Sequence, residues 1–223
     1  MKKGKLFRWL THKLSQDDIR RFCEENKTTE SENVLIVHCD DMAYDYCFPS
    51  HVKANVEKRD DVQVVANKEY TSIPVEDNSY DVLVCTGLLE HVKNYNDSLK
   101  EMFRVLKPGG KIIISASASF STHEAPNNFY HFTVFGLEHS LQKNGYKEIN
   151  VKPSCKPFRT IAILIQRTCY QAKINSLVKI FLLLLVKCIP VLDFFIKEDY
   201  GNIERTLQME SSLYSNVQAT AYK

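Results

Sequence analysis

The stretch that decides the fold is residues 80–116, YDVLVCTGLLEHVKNYNDSLKEMFRVLKPGGKIIISA. It begins with an apolar run typical of a buried strand, passes through an acidic turn into an amphipathic helix, and ends with a Pro-Gly-Gly turn and a second apolar strand. This order predicts a strand-helix-strand unit of a parallel sheet. Ligands of such sheets bind beyond the carboxyl ends of the strands, so we expect the functional site at Thr86–His91.

Apolar runs on both sides of this unit continue the pattern. The predicted strands are Val34–Val37, Val52–Val56, Val62–Ala66, Tyr80–Cys85, Lys111–Ser115 and Val217–Tyr222. The third run is rich enough in β-branched residues to predict a buried strand. One helix is predicted from Asn96 or Asp97 to Pro108-Gly109-Gly110, and another over Thr133–Asn144, ended by Gly145. Alternating strands and helices predict an α/β, doubly wound, mostly parallel sheet.

The composition is that of an ordinary globular chain. Its 223 residues are enough for one domain with a full core and one appendage. A net charge of +2 gives no electrostatic reason to expect nucleic acid as a partner. Seven cysteines without repeated spacing indicate a reducing compartment. Residues 1–13 are basic but lack the apolar core of a signal peptide, so a cytoplasmic location is expected.

Two amphipathic segments lie outside the sheet pattern. Lys2–Leu14 has a basic face and an apolar face, as in interfacial membrane helices and in helices packed on a sheet. Leu177–Lys197 is predicted to be a very apolar helix whose charges share one stripe, so it does not cross a bilayer. Either segment is expected to pack on the protein or to contact a membrane surface or a partner.

Several short motifs carry a family resemblance. The motifs are Pro74, Asp77, Ser79-Tyr80-Asp81, Leu89-Glu90-His91-Val92 and Leu106-Lys107-Pro108-Gly109-Gly110. As a set they resemble class I S-adenosylmethionine-dependent methyltransferases of the small-molecule type 11 group. Weaker similarity in residues 121–146 is to methyltransferases found with polysaccharide and lipopolysaccharide assembly genes. Together these segments cover about half of the chain.

The resemblance implies a Rossmann-like sheet of about seven strands with an antiparallel C-terminal strand. It divides the chain into an N-terminal helical segment (1–30), a methyltransferase-like core (31–153), an apolar helical insert between the last two strands (154–200) and a closing strand (201–223). The implied cofactor is S-adenosylmethionine, and the implied acceptor is a small molecule or a glycan- or lipid-linked molecule.

The family pattern also implies the site residues. The cofactor-binding positions are Thr86, Gly87, Leu88, Asn55, Asn67 and Cys39. Thr86 to Leu88 would form the cofactor edge, Asn55 and Asn67 stand where the family has acidic residues for the ribose and the adenine, and Cys39 lies in the first loop. His123 is the candidate base for the acceptor, since histidine titrates near neutral pH. No metal site is predicted.

The first loop departs from the family pattern. Ile36 replaces its acidic residue, and His38, Asp40 and Met42 occupy its glycine positions. A Cβ at a position that needs positive φ or close approach costs about 1 kcal/mol or more. Two hypotheses therefore stand: a methyltransferase, or an inactive descendant of the fold that serves as a membrane- or partner-binding component.

Overall fold

A computed structural model of the chain describes residues 9–38, 44–197 and 211–223. The strands are β1 (Val34–Val37), β2 (His51–Asn55), β3 (Val64–Val65), β4 (Tyr80–Thr86), β5 (Leu106–Ser117), β6 (Lys147–Pro153) and β7 (Asn216–Tyr222). The α-helices are α1 (Leu14–Glu25), α2 (Tyr95–Val105), α3 (Val134–Lys143), α4 (Pro157–Gln171) and α5 (Ser176–Cys188). Three 3₁₀ helices span Asp45–Cys47, Leu89–His91 and Ile189–Phe195.

The strands form one sheet in the order β3-β2-β1-β4-β5-β7-β6. The first five strands are parallel to one another, and β7 is antiparallel to both of its neighbours, β5 and β6. The strand order reverses between β1 and β4, where Leu35 pairs with Leu83. The predicted fold class is confirmed, including a helical segment between the last two strands. The reversal also marks the crevice where ligands of such sheets bind.

The core lies on both faces of the central strands. In β1, Leu35 and Val37 belong to a buried cluster that includes residues of α2 and α3. Val34 and Ile36 belong to a second cluster on the opposite face, with Phe22 of α1. This alternation follows from the two-residue period of a strand and explains why a continuous apolar run is needed at the centre of the sheet.

Some element predictions are wrong in detail. The third strand is only Val64–Val65, and Val65 is exposed because β3 is the outer strand of the sheet. The helix α2 begins at Tyr95 rather than at Asn96 or Asp97. Strand β5 begins at Leu106, so Pro108-Gly109-Gly110 lies within the strand rather than in a turn before it.

The N-terminal segment also differs from the prediction. Residues 1–8 lie outside the described residues; the chain is helical at residues 9–11, leaves the helix at His12 and Lys13, and enters α1 at Leu14. Leu14 is buried against Ala162, Ile163 and Val186. This part of the segment therefore packs on the protein.

The apolar segment is not one helix. The α-helix ends at Cys188 and continues as the 3₁₀ helix Ile189–Phe195, at the position of Pro190. Asp193 does not belong to a free polar stripe, because its carboxylate accepts the N–H groups of Phe158 and Arg159, both at 2.9 Å, in the first turn of α4. Within the described residues, none of the helices has the length and hydropathy required to cross a membrane.

Candidate functional site

Two cavities lie at the carboxyl ends of the parallel strands. The first has a volume of about 250 Å³, and its wall includes Thr86, Gly87 and His123. The second has a volume of about 500 Å³, and its wall includes Asn55 and Leu88. Three side chains line both cavities: His38, His91 and Glu124. The two cavities therefore flank the strand reversal where the sequence places the site.

The carboxyl end of β4 is the common edge of the two cavities. The hydroxyl groups of Thr86 and Tyr44 share a hydrogen bond of 3.0 Å, which fixes Thr86 at the first cavity. Gly87 follows with φ +67°, a conformation that favours glycine. A Cβ at Gly87 would have Glu90 Oε1 at 4.0 Å as its nearest neighbour, so the backbone is open to a ligand here.

The second cavity contains a polar group suited to a sugar. Asn55 lies at the carboxyl end of β2, and its Oδ1 accepts long hydrogen bonds from the Tyr70 hydroxyl at 3.5 Å and from the Glu57 N–H at 3.3 Å. Its Nδ2 is buried and has no hydrogen-bond partner among the described residues. A buried amide donor without a partner is costly, and a ribose hydroxyl would supply the missing acceptor.

His38 occupies the boundary between the cavities. It follows β1 with φ +60°, so a residue with a Cβ adopts the left-handed conformation in which the family pattern has glycine. Its backbone N–H donates to the Ala54 carbonyl at 3.0 Å, which holds the backbone in place. The imidazole lies 3.4 Å from the Tyr70 hydroxyl. The side chain therefore narrows the passage that a ligand spanning both cavities would use.

Two predicted cofactor residues are not part of the described cavity walls. Asn67 is exposed, and its side chain bonds to Thr71 and to the backbone of Ser72, which stabilises the loop after β3. Cys39 lies outside the described residues. The structure thus brings Thr86, Gly87, Leu88, Asn55 and His123 to the two cavities.

Sequence reasoning assigned no joint role to a cluster beside the first cavity. One ligand atom each of Glu90, His91 and His123 lies within 4.8 Å of the others. Glu90 and His91 belong to the 3₁₀ helix after β4, whereas His123 comes from the segment after β5. The available signal was the position of both segments after neighbouring strands of the predicted sheet, since such segments meet at one edge.

Burial affects the protonation of the His123 imidazole. Burial lowers the pKa of His123, while the Ser121 carbonyl, which His123 Nδ1 contacts at 3.0 Å, opposes this shift. The neutral ring is therefore favoured at neutral pH. With Nδ1–H donating to the carbonyl, Nε2 carries the lone pair, and His123 is able to accept a proton or bind an electrophile.

The apolar helical segment adjoins the first cavity through α4. Arg167 lines this cavity, and its Nε donates to Ser121 Oγ at 3.2 Å. Its guanidinium stacks over the Phe120 ring at 4.8 Å from the centroid. The segment that contains His123 is thus held between α4 and the sheet.

Comparison with known proteins gives this geometry a family. Residues 32–114 match the sequence model of a family described as "Methyltransferase domain". These residues contain β1 to β4, α2 and most of β5, and therefore the strand reversal and the edge formed by Thr86 to Leu88. Over residues 32–114 the chain is therefore similar in sequence to methyltransferase domains.

Curated relatives of the methyltransferase domain match a part of their own length. The ubiquinone/menaquinone biosynthesis C-methyltransferase of Pseudoalteromonas translucida is 30% identical over 99 residues, which are 42% of this chain and 39% of that protein. The sterol 4-C-methyltransferase of Caenorhabditis elegans is 31% identical over 87 residues, which are 39% of this chain and 26% of that protein. The chain thus spans well under half of the length of these relatives.

A solved structure extends the likeness to nearly the whole chain. The S-adenosylmethionine-dependent methyltransferase of Archaeoglobus fulgidus superposes with a TM-score of 0.58 at 14% identity, covering 94% of this chain and 93% of that one. At this identity the superposition shows the fold. The cofactor of the methyltransferase family is S-adenosylmethionine.

Proposed function

We propose that this chain transfers a methyl group from S-adenosylmethionine to a lipid-linked acceptor at a membrane surface. The proposal rests on the carboxyl end of β4, where Gly87 at φ +67° leaves open backbone between the two cavities. The relatives support the lipid-linked class of acceptor, because their names place them in quinone biosynthesis and sterol methylation.

The residues of the second cavity suit the nucleoside part of the cofactor. Asn55 Nδ2 is a donor in need of an acceptor, and Leu88 and Val56 give the same wall an apolar surface. The cofactor supplies an electrophilic methyl group on a sulfonium when it is bound. The chain itself positions the reactants. Thr86, which is fixed by Tyr44, and Gly87 form the edge of the first cavity. This cavity would hold the acceptor in line with the methyl group and limit access of water.

His123 remains the predicted base. His123 lines the first cavity, and its lowered pKa keeps the imidazole neutral, as a proton acceptor requires.

Calorimetric titration of the full chain with S-adenosylhomocysteine tests the cofactor site. We expect micromolar binding, and an affinity about tenfold lower for Asn55→Ala, because a hydrogen bond in a buried site contributes about 1 kcal/mol or more. Asn150→Ala is the matched control, since Asn150 is exposed on β6, and its affinity should equal that of the wild type. Absence of binding at millimolar ligand would refute the proposal.

The acceptor class has a separate test. The chain is incubated with methyl-labelled S-adenosylmethionine and a total lipid extract, and label is measured in the organic phase. Label that depends on the chain and is reduced by Asn55→Ala supports a lipid-linked acceptor. Label absent from the lipids but present when a water-soluble extract is added would replace this acceptor class with a small molecule or a glycan.

Membrane contact through Leu177–Lys197 is part of the same proposal. The most exposed apolar side chains of α5 and the following 3₁₀ helix include Leu177 (78%), Phe194 (87%) and Phe195 (71%). Exposed apolar surface of this kind marks an interface, and Lys179 and Lys187 would favour anionic lipid. Flotation with phosphatidylcholine–phosphatidylglycerol vesicles should recover the wild type, and Phe181→Ser/Phe194→Ser should lose binding. Phe135→Ser, an exposed phenylalanine of α3, is the control, and equal flotation of all three proteins would remove the membrane contact.

His38 favours a second candidate function. Its Cβ and imidazole stand where the family pattern has a glycine, and the side chain lines both cavities. If this blocks the cofactor, the chain is a non-catalytic descendant of the fold that serves as a membrane- or partner-binding component. Calorimetric silence together with intact vesicle binding would establish this second function.

A further inference from the structure

We propose that Glu90, His91 and His123 bind a divalent transition-metal cation, best matched by zinc, in the wall of the first cavity. One ligand atom of each residue lies within 4.8 Å of the other two. Ligands bound to one tetrahedral zinc ion at about 2.1 Å are about 3.4 Å apart. Side-chain movements of about 1 Å would therefore complete the site.

Glu90 supplies a carboxylate oxygen that lacks a partner. The residue is 2% exposed, although a buried carboxylate is costly unless it is paired. Its Oε1 accepts from the N–H and the hydroxyl of Ser117, at 3.2 and 2.6 Å. Its Oε2 is buried and has no hydrogen-bond partner among the described residues. A cation at this position would satisfy Oε2 while Ser117 keeps the carboxylate in orientation.

Both imidazoles are oriented as metal ligands. Nδ1 of His91 lies 2.6 Å from the Asn127 carbonyl oxygen, and Nδ1 of His123 lies 3.0 Å from the Ser121 carbonyl oxygen. A carbonyl oxygen only accepts, so each Nδ1 carries a proton and each Nε2 is the nitrogen left to bind a cation. Metal-bound histidines typically donate their second N–H to a carbonyl or carboxylate in this way, which fixes the tautomer and the plane of the ring.

The surrounding backbone holds the three ligands together. The N–H of Phe129 donates to the Glu90 carbonyl at 2.7 Å, which ties the segment after β5 to the 3₁₀ helix after β4. The two imidazole rings meet edge to face, with centroids 4.7 Å apart. The ligand set therefore comes from two connected segments at the same sheet edge.

Two charged groups border the cluster. Glu124 Oε2 lies 3.8 Å from His91 Nε2, and the Glu124 side chain is 62% exposed, so this carboxylate is free to turn towards or away from a cation. Arg167 faces the first cavity from α4. Two imidazoles with one carboxylate suit zinc and iron(II), whereas magnesium and calcium prefer all-oxygen sites.

A cation here would define the acceptor more closely, an extension that rests on the proposed function. Three protein ligands leave a coordination position open, and the site borders the first cavity beside Thr86. A bound cation lowers the pKa of an attached oxygen, so an acceptor hydroxyl at that position would pass its proton to the exposed Glu124 carboxylate or to water. The oxygen would then form its bond to the methyl carbon as the bond from that carbon to the sulfonium sulfur breaks, which leaves S-adenosylhomocysteine. His123 then acts as a metal ligand rather than as the base, and the acceptor is a hydroxyl compound.

Direct cation binding to the full chain tests the site without cofactor or acceptor. The protein is stripped with a chelator and dialysed against cobalt(II), and bound cobalt and the visible spectrum are measured. We expect one cobalt per chain with a nitrogen- and oxygen-ligand spectrum, displaced by zinc. Affinity should fall about 10- to 100-fold or more in His123→Ala and Glu90→Gln. His131→Ala is the matched control, since His131 is an exposed histidine of the same segment and should bind as the wild type does.

Several results would overturn the metal site. They are absence of bound cobalt in the wild type, equal binding by His123→Ala, or the charge-transfer bands of cobalt–thiolate bonds. Cys188→Ser removes an exposed thiol and should leave binding unchanged. Glu90→Gln keeps an oxygen for the Ser117 hydrogen bonds, and melting curves verify that each variant is folded. Titration with S-adenosylhomocysteine is measured separately, so failure of the metal site and failure of the cofactor site are distinguishable.

Discussion

Replacing His38 by glycine and by alanine would separate the two effects of this residue. Both substitutions remove the imidazole and its contact with Tyr70, but only glycine adopts φ +60° without strain. The backbone itself is fixed, since the His38 N–H pairs with Ala54 as part of the sheet edge. Any difference in stability between the two variants therefore reports the conformation of the backbone.

The expected difference can be worked from that conformation. A residue with a Cβ in the left-handed region costs about 1–2 kcal/mol, and the greater freedom of glycine in the unfolded chain offsets part of this. We expect His38→Gly to exceed His38→Ala by about 1 kcal/mol in free energy of unfolding, or about 2–4 °C in Tm. Urea unfolding followed by circular dichroism measures the difference.

The same pair of variants tests whether His38 obstructs the cofactor. Loss of the ring opens the boundary between the cavities, so both variants should bind S-adenosylhomocysteine more tightly than the wild type. We expect a gain of about fivefold, or about 1 kcal/mol, and a larger gain for glycine because the backbone becomes accessible. Equal stability of the two variants would refute the strain, and weaker ligand binding by both would show that His38 is a contact rather than an obstacle.

Three further predictions concern the stability of the fold. Hydrogen bonds from Arg104 lower the pKa of Glu101, so the stabilisation by this pair is present above the pKa of the unfolded chain and is lost as pH falls through the pKa of the folded protein. Glu101→Gln should therefore lower the free energy of unfolding by about 2 kcal/mol at pH 7, measured by urea unfolding. A loss that does not become smaller towards about pH 3 would contradict this. Burial raises the pKa of Asp18, and the hydrogen bonds from Arg159 oppose this shift. Arg159→Met should therefore lower the free energy of unfolding by about 3 kcal/mol at pH 8, and by less at lower pH, where the buried carboxyl takes up a proton. The double variant Asp18→Asn/Arg159→Met should recover most of this loss. Asp193→Asn weakens the carboxylate cap of α4 and should cost about 1 kcal/mol, with faster amide exchange at Phe158 and Arg159; unchanged exchange would refute the cap.

The sheet was predictable because its central strands are continuous apolar runs. Leu35 and Leu83 lie where the pattern places them, at the strand reversal. The third strand was overestimated because a β-branched run does not reveal whether its strand lies at the centre or on the edge. The break before α1 has a different cause: the amphipathic pattern was traced from Lys2 through Leu14 as one helix, while the chain leaves the helix at His12 and enters α1 at Leu14.

The site was predictable where the backbone of a strand end determines it. Thr86, Gly87 and Leu88 reach the cavities because β4 ends there. Asn67 was assigned by register alone, and its side chain bonds within its own loop. The meeting of Glu90, His91 and His123 depends on the path of a segment without regular structure between Ser117 and Val134. Periodicity carries no information about such a path.

The two sides of the strand reversal differ in whether a side chain narrows the cofactor site. At β4, Gly87 keeps the conformation and the open space that a ligand needs. At β1, close approach of the cofactor to the backbone depends on the absence of a side chain, so the His38 side chain narrows the boundary between the two cavities. Loss of the glycine pattern at His38 therefore says little about the β4 edge. The histidine at position 38 predicts a reduced affinity for the cofactor beside an intact first cavity. The His38 variants measure the cofactor affinity, and the metal titration measures the first cavity independently.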